Sequence, residues 1–304
     1  MNESLRRWLV VGVTAALAWT ACRATVPPTP AKYEPAESLL SIVAEFQRYR
    51  NADLYRFPYP RDLSGQNVFK ATLVRLGNYQ TLYPKKYDEL IAFTRAQTYA
   101  RLGDYQTAAR FCKEAQNYGG DLAAQAAEHA RMLNEFSEAT ALSRRSESFV
   151  EYQRMLEERV ERCQRLVDRY SKPPWHGLAR CEHEQAEVDL AEFLWANRQV
   201  IPNGPRRAFD LLEAIRDHHR ESKNFYRHTL RLGDWACEMA TEYATLFPPE
   251  RALFIWEEFE RWTAKAKNHY LEVAQSFGAE ERTEAAARLA ALEALEHRVR
   301  ALNR

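Results

Sequence analysis

The sequence predicts an all-α protein, an α-solenoid built from antiparallel helix pairs. The 304 residues include only 10 Gly and 13 Pro, and long stretches contain neither, as is typical of long helices. Apolar residues recur every three to four positions, which places them on one face of a helix. Long alternating runs of β-branched residues, which are typical of strands, are absent from the sequence.

The first 21 residues have the layout of a bacterial secretion signal. Arg6 and Arg7 precede an apolar run from Leu9 to Trp19, and this run is short for a membrane-spanning helix. Small residues and Cys22 follow the run. We therefore expect export, with residues 1–21 acting as a signal peptide. A single uncleaved membrane anchor is the alternative.

Around Cys22 the sequence resembles a lipoprotein signal, in which the cysteine becomes the first mature residue and carries a lipid. Thr20 and Ala21 match the positions before that cysteine, whereas Trp19 stands where an aliphatic residue is usual. The resemblance implies a lipid on Cys22. Ordinary cleavage after Ala24, with loss of the cysteine, is the alternative.

A proline-rich tether is predicted over residues 22–36. Its four prolines favour an extended chain that would hold a folded domain away from a membrane. The residue after Cys22 is not Asp, and by the lipoprotein resemblance this implies the periplasmic side of the outer membrane. The predicted helical domain occupies residues 37–304.

Two helices, over residues 37–50 and 66–83, are predicted to follow the tether. Between them, two prolines within three residues break any helix, so a loop presents Tyr55, Phe57 and Tyr59. These aromatic side chains are candidate contacts for a partner protein. The alternative is that they fold back and cap one end of the helix stack.

Residues 87–121 give the clearest prediction of a helical hairpin. Gly103 follows the last apolar residue of the first helix and predicts a left-handed cap, and Asp104 predicts the N-cap of the second helix. Each helix has one apolar stripe: Ala92, Ala96, Tyr99 and Leu102 in the first, and Tyr105, Ala108, Phe111, Cys112 and Ala115 in the second.

This hairpin resembles a tetratricopeptide repeat, a helix–turn–helix unit of about 34 residues. Ala92 departs from the family pattern, which usually has Trp there, and Gly120 stands where Pro is usual. The resemblance implies a curved stack of helix pairs that binds a protein or peptide, with Tyr99 and Tyr105 as candidate contacts. The matching positions are Ala96, Tyr99, Gly103, Tyr105, Ala108 and Ala115.

A short phrase, Arg-Leu-Gly followed by Asn or Asp and an aromatic residue, occurs at 75–79, 101–105 and 231–235. Diverged repeats are one interpretation, and chance combined with common turn chemistry is the other. The first two copies are separated by fewer residues than a full repeat requires. Leu76-Gly77 therefore suits a position within a helix rather than a turn.

Residues 146–170 and 175–199 predict a long charged helical hairpin around a proline-containing turn. Cys163 and Cys181 each lie nine residues from Lys172, so an antiparallel hairpin brings them to similar heights. A disulfide is one alternative in an oxidising compartment, and two small buried apolar side chains are the other.

Four further helices are predicted, over residues 207–220, over 222–247, from Pro249 to just before Gly278, and over 280–303. The last helix carries Leu292, Leu295, Val299 and Leu302 at heptad spacing. We expect it to cap the stack, and a homodimer formed through this helix is the alternative.

No catalytic motif emerges from the sequence. His183 and Glu187 are spaced to share a metal, but no second histidine completes the HExxH pattern, and His218-His219 suits a helix C-terminus. We therefore predict no metal and no cofactor. The net charge of +1, with signs interspersed, gives no electrostatic footprint for nucleic acid.

These observations together predict an exported, lipid-anchored, non-catalytic scaffold that binds a protein or peptide in the cell envelope. Two alternatives stay open. One is a cell-envelope enzyme, either acting on glycans or hydrolysing with a metal held by the helix around residues 181–187. The other is a structural homodimer.

Overall fold

The computed structural model describes residues 34–52, 63–142, 148–173 and 175–302 of the chain. Within these ranges the chain forms eleven α-helices and no β-strand, which confirms the predicted all-α class. In chain order the helices are α1 Pro35–Ala52, α2 Leu63–Leu82, α3 Asp88–Arg101, α4 Tyr105–Asn117, α5 Ala123–Thr140, α6 Phe149–Arg169, α7 Trp175–Ala196, α8 Gly204–His218, α9 Phe225–Leu246, α10 Trp256–Ala274 and α11 Arg282–Leu302.

Several predictions concern residues outside the described ranges. These are the signal segment 1–21, the lipidation candidate Cys22, and the aromatic loop residues Tyr55, Phe57 and Tyr59, and they stay predictions. Helix α1 begins at Pro35, so the last two residues of the predicted tether belong to a helix. Proline suits the first helical turn because the amide hydrogen that it lacks has no partner there. Within the described ranges, no helix is both long and apolar enough to cross a membrane.

The central hairpin forms at the predicted turn. Gly103, which follows the C-cap residue Leu102 of α3, has a φ angle of 80°, in the left-handed region that favours glycine. The Asp104 side chain accepts a hydrogen bond from the Thr107 amide at 3.0 Å and caps α4. Both caps confirm the sequence-based interpretation of this turn.

Helices that follow one another in the chain also pack against one another. Pairs such as α3 with α4, α6 with α7, and α9 with α10 share extensive contacts. In the α6–α7 pair, Arg159 donates a hydrogen bond to Asp189 at 2.5 Å across the helices. This pair joins the two helices on either side of the intervening turn, as the predicted antiparallel hairpin permits.

Two large apolar cores run through the chain. One is formed by α3, α4 and α5 with the end of α6 and the start of α7. The other is formed by α6 to α11, with the stacked indoles of Trp195 and Trp235 near its centre, 4.6 Å apart. Three of the four heptad residues of α11, Leu292, Leu295 and Val299, pack inside the chain.

The largest difference between a predicted and an observed helix boundary is at Pro249. Pro249 does not open a helix; residues 248–255 form turns, in which the Arg251 amide donates to Pro248 and the Phe254 amide donates to Arg251. The amide of Ile255 donates to the Tyr243 hydroxyl at 2.9 Å. Helix α10 consequently begins at Trp256, seven residues later than predicted.

The Arg-Leu-Gly phrase occupies two different environments. Gly77 and Gly233 lie within helices α2 and α9, whereas Gly103 forms a turn. At Gly233 the absence of a side chain permits close packing, because an added Cβ would lie 2.6 Å from the ring of Tyr270. At Gly77 the nearest atom to an added Cβ is 3.8 Å away.

Candidate functional site

Two aromatic residues predicted as partner contacts belong to the packing of the central hairpin. Tyr105 is buried, with 3% of its surface exposed, and its hydroxyl donates a hydrogen bond to Glu182 at 2.6 Å. Its prediction as a contact was therefore wrong, because a core side chain cannot reach a partner. Tyr99 is half-buried and stacks on Phe111 with an interplanar angle of 6°.

The disulfide between Cys163 and Cys181, one of the two alternatives for this pair, is not formed. All cysteines in the described ranges are thiols, and both of these are buried. The Cys163 thiol lies 3.9 Å from the carbonyl oxygen of Ala139, and burial raises its pKa to about 12. The two residues therefore act as small buried side chains, which was the alternative interpretation.

The most unusual feature of the described chain is a buried histidine–glutamate cluster. Helix α7 contributes His183, Glu184 and Glu187. Residue His219, the C-cap of α8, reaches the same point. The Nε2 atom of His219 lies 2.8 Å from Glu187, and Nδ1 of His183 lies 3.5 Å from the same carboxylate oxygen.

A second set of contacts holds the carboxylate of Glu184. The Ser222 hydroxyl donates a hydrogen bond to Oε1 of Glu184 at 2.8 Å, and Nε2 of His228 lies 2.7 Å from the same oxygen. The Glu184 side chain is 1% exposed and that of His228 is 5% exposed. This network joins α7 to the α8–α9 connection and to the first turn of α9.

Two buried polar atoms of the cluster face each other without a hydrogen bond. Oε2 of Glu184 and Nδ1 of His219 are 3.7 Å apart, and neither has a hydrogen-bond partner among the described residues. An unpaired buried polar atom costs stability, on the order of 1–3 kcal/mol. A small change in the orientation of the His219 ring would bring these two atoms within hydrogen-bond distance.

The cluster has the composition of a metal site. One ligand atom each from His183, Glu187 and His219 lie within 4.8 Å of one another. Burial lowers the pKa of His183, in opposition to the charge of Glu187, and this favours the neutral imidazole that coordinates metals.

Beside the cluster lies a groove of about 720 Å³ between α7, α9 and α11. Glu184 and His228 form part of its wall, so the buried network borders the groove. Val188, which is half-buried, provides apolar surface, and the buried Leu212 and Leu230 lie behind it. A volume of this size is typical of a ligand pocket.

Carboxylates outnumber cations around the groove. Six acidic side chains and three arginines line it, and Asp189 also pairs with Arg159 from α6, which leaves a formal surplus of two negative charges. The acidic residues are Glu184, Asp189, Glu192, Asp234, Glu281 and Glu284, and the arginines are Arg227, Arg231 and Arg288.

Ion pairs fix the walls of the groove. Arg231 forms two hydrogen bonds to Glu192, at 2.8 and 2.5 Å, which join α7 to α9. Arg288 on α11 pairs with Asp234 on α9. Burial raises the pKa of the Asp234 carboxyl above its usual value despite the neighbouring Arg288. The groove is therefore a preformed acidic surface.

Comparisons with known proteins add no relative: no family model, curated protein or solved structure matches this chain. The sequence had indicated the His183–Glu187 pair but not the contribution of His219 and His228. His219 lies 32 residues from Glu187 in the chain. The sequence signal for it was only an adjacent histidine pair at a predicted helix end, and α8 does end there.

Proposed function

We propose that the protein is a non-catalytic binding protein of the bacterial cell envelope, tethered by a lipid on Cys22. Its groove between α7, α9 and α11 binds a basic segment of a partner protein. The observation that carries this proposal is the surplus of carboxylates around a preformed groove with apolar surface. Electrostatic complementarity selects partners by sign of charge and speeds their encounter.

The proposed ligand chemistry follows from the lining. An extended segment with lysine or arginine side chains meets the carboxylates, and an aliphatic side chain between them meets Val188. The predicted lipid anchor and the resemblance of residues 87–121 to a tetratricopeptide repeat, a family that binds extended peptides, support a binding function for the domain. Both supports come from the sequence alone.

Site-specific crosslinking in cells tests the groove. A photoreactive side chain replaces Gln185, which lines the groove, in the full-length protein. The control carries the same group at Gln164, which is exposed on α6 and does not line it. We expect one dominant protein adduct from position 185 and a different or absent adduct from position 164. Identical adducts at both positions would exclude specific binding in the groove.

Charge reversal provides a matched pair of variants on one helix. Glu284 lines the groove, its side chain is 47% exposed and it pairs with Arg288. Glu293 is 49% exposed and pairs with Lys267, but it does not line the groove. Glu284→Arg should weaken the adduct from position 185 about tenfold, whereas Glu293→Arg should leave it unchanged. Equal effects of the two variants would contradict the proposal.

A further inference from the structure

We infer that His183, Glu187 and His219 bind one zinc ion, which links α7 to the C-terminus of α8. None of these three ligands lines the groove, and the supporting residue Glu184 borders both the metal site and the groove. Two imidazoles and one carboxylate form a ligand set that zinc uses in proteins, with a fourth position open to water. Nitrogen ligands favour zinc over magnesium and calcium, which take oxygen ligands.

The distances within the cluster are close to those of a tetrahedral zinc site. With metal–ligand bonds of about 2.0–2.2 Å, ligand atoms lie about 3.4 Å apart. Oε2 of Glu187 lies 2.8 Å from His219 and 3.5 Å from His183. The three ligand atoms all lie within 4.8 Å of one another. To bind one zinc ion, the two histidine nitrogens therefore need to move closer to each other by about 1.4 Å at most.

The second nitrogen of His219 has its own acceptor in place. When Nε2 binds the metal, the proton of a neutral imidazole lies on Nδ1, which faces Oε2 of Glu184 at 3.7 Å. Histidine ligands in zinc sites commonly donate this proton to a carboxylate, which fixes the ring and strengthens the bond to the metal. Metal binding would thus pair the two buried atoms that lack hydrogen bonds.

The surroundings of Glu184 suit this supporting role. Ser222 and His228 contact its Oε1 and leave Oε2 directed at His219. The formal charges also balance, because a divalent ion meets the carboxylates of Glu187 and Glu184 and two neutral imidazoles. A buried site with matched charge avoids the large cost of an uncompensated ion.

Zinc titration of the full-length protein tests this site. The protein is purified in detergent, stripped with a chelator, and titrated with zinc sulfate in a calorimeter, and its zinc content is measured after dialysis. We expect one equivalent of retained zinc and a rise in the melting temperature. No retained zinc, or binding without saturation at one equivalent, would overturn the inference.

Variants locate the ion. His183→Ala and Glu187→Gln should each weaken zinc binding more than about 100-fold, and Glu184→Gln about 10–100-fold, as for supporting residues in other metal sites. His269→Gln, a half-buried histidine on α10 outside the cluster, is the control and should bind as the wild type does. If His183→Ala and Glu187→Gln also bind as the wild type does, zinc lies elsewhere and the inference is wrong.

Loss of folding is distinguished from loss of the ligand by circular dichroism of each metal-free variant. His183 is the most suitable position, because its side chain is 12% exposed and contributes least to the core. The site would be supported if His183→Ala folds with the helix content of the wild type and retains no zinc. The same folded variant with full zinc content would refute it.

Discussion

Alanine at Gly77 and at Gly233 should change stability in opposite directions. Both glycines lie within helices and follow Arg-Leu in the sequence, so the local chemistry is matched. Replacement of glycine by alanine within a helix gains about 1 kcal/mol of helix propensity. At Gly77 the added methyl meets only an arginine nitrogen at 3.8 Å, so most of this gain should appear.

At Gly233 the cost of overpacking exceeds the gain in helix propensity. The added Cβ would lie 2.6 and 2.7 Å from two ring carbons of Tyr270. That ring is 2% exposed, and its hydroxyl donates to Asp234 at 2.9 Å, so it has little room to move. Overpacking costs about 1–3 kcal/mol, and the upper end applies to a rigid ring. Subtraction of the helix propensity leaves a net loss of about 2 kcal/mol.

Urea denaturation, followed by helical circular dichroism, measures both variants. We expect the free energy of unfolding to rise by about 1 kcal/mol for Gly77→Ala and to fall by about 2 kcal/mol for Gly233→Ala. The Tyr270→Leu background removes the ring and should reduce the cost of Gly233→Ala by more than about 1 kcal/mol. Equal shifts for the two glycines, or a cost at Gly233 that is insensitive to Tyr270→Leu, would refute the close contact between α9 and α10.

Three further predictions concern buried groups. Burial lowers the pKa of His269 to about 4 from 6.5, so protonation of the unfolded chain should reduce the free energy of unfolding by up to about 3 kcal/mol between pH 6.5 and pH 4. Denaturant titrations at several pH values measure this dependence of the free energy of unfolding on pH. His269→Gln should remove the dependence, whereas the control His297→Gln, at an exposed position, should leave it as in the wild type. Tyr105→Phe removes the hydroxyl group that donates a hydrogen bond to the buried Glu182, so it should lower the free energy of unfolding by about 1.5–3 kcal/mol. Urea denaturation measures this change, and an unchanged midpoint would argue against that hydrogen bond. Alkylation of the buried Cys163 thiol by iodoacetamide, followed by mass spectrometry, should occur only in urea; rapid labelling of the native protein would contradict its burial.

Much of the fold could be predicted from the sequence, because its signals are local. The apolar stripes predicted the helices, and Gly103 and Asp104 predicted the turn of the central hairpin and its cap. The failure at Pro249 is also local in origin. Proline permits the start of a helix but does not require it, and the turns of residues 248–255 with the Tyr243 hydrogen bond delay the helix.

The candidate sites could be predicted only in part, because they depend on helix rotation and on contacts far apart in the chain. Spacing alone places His183 and Glu187 on one face of α7, but only packing brings His219 to them. Tyr105 shows the opposite case. The repeat pattern alone suggested that this aromatic side chain contacts a partner. Whether the side chain is exposed or buried depends on how the neighbouring helices pack, and here they bury it.

The side chains that line the groove come from α7, α8, α9 and α11. No single segment of the sequence contains both the acidic residues and the apolar residues of this lining. The net charge of +1 for the whole chain gave no indication of a local negative surplus. Local electrostatics therefore required the three-dimensional arrangement.

Mass spectrometry of the partner peptide crosslinked from position 185 tests the proposed function most directly. The measurement identifies the partner's residues that lie in the groove of the full-length protein in cells. We predict a segment rich in lysine and arginine, captured by protein whose N-terminal peptide carries a lipid on Cys22. An acidic or uncharged segment, or an adduct that persists unchanged in Glu284→Arg, would contradict the proposal.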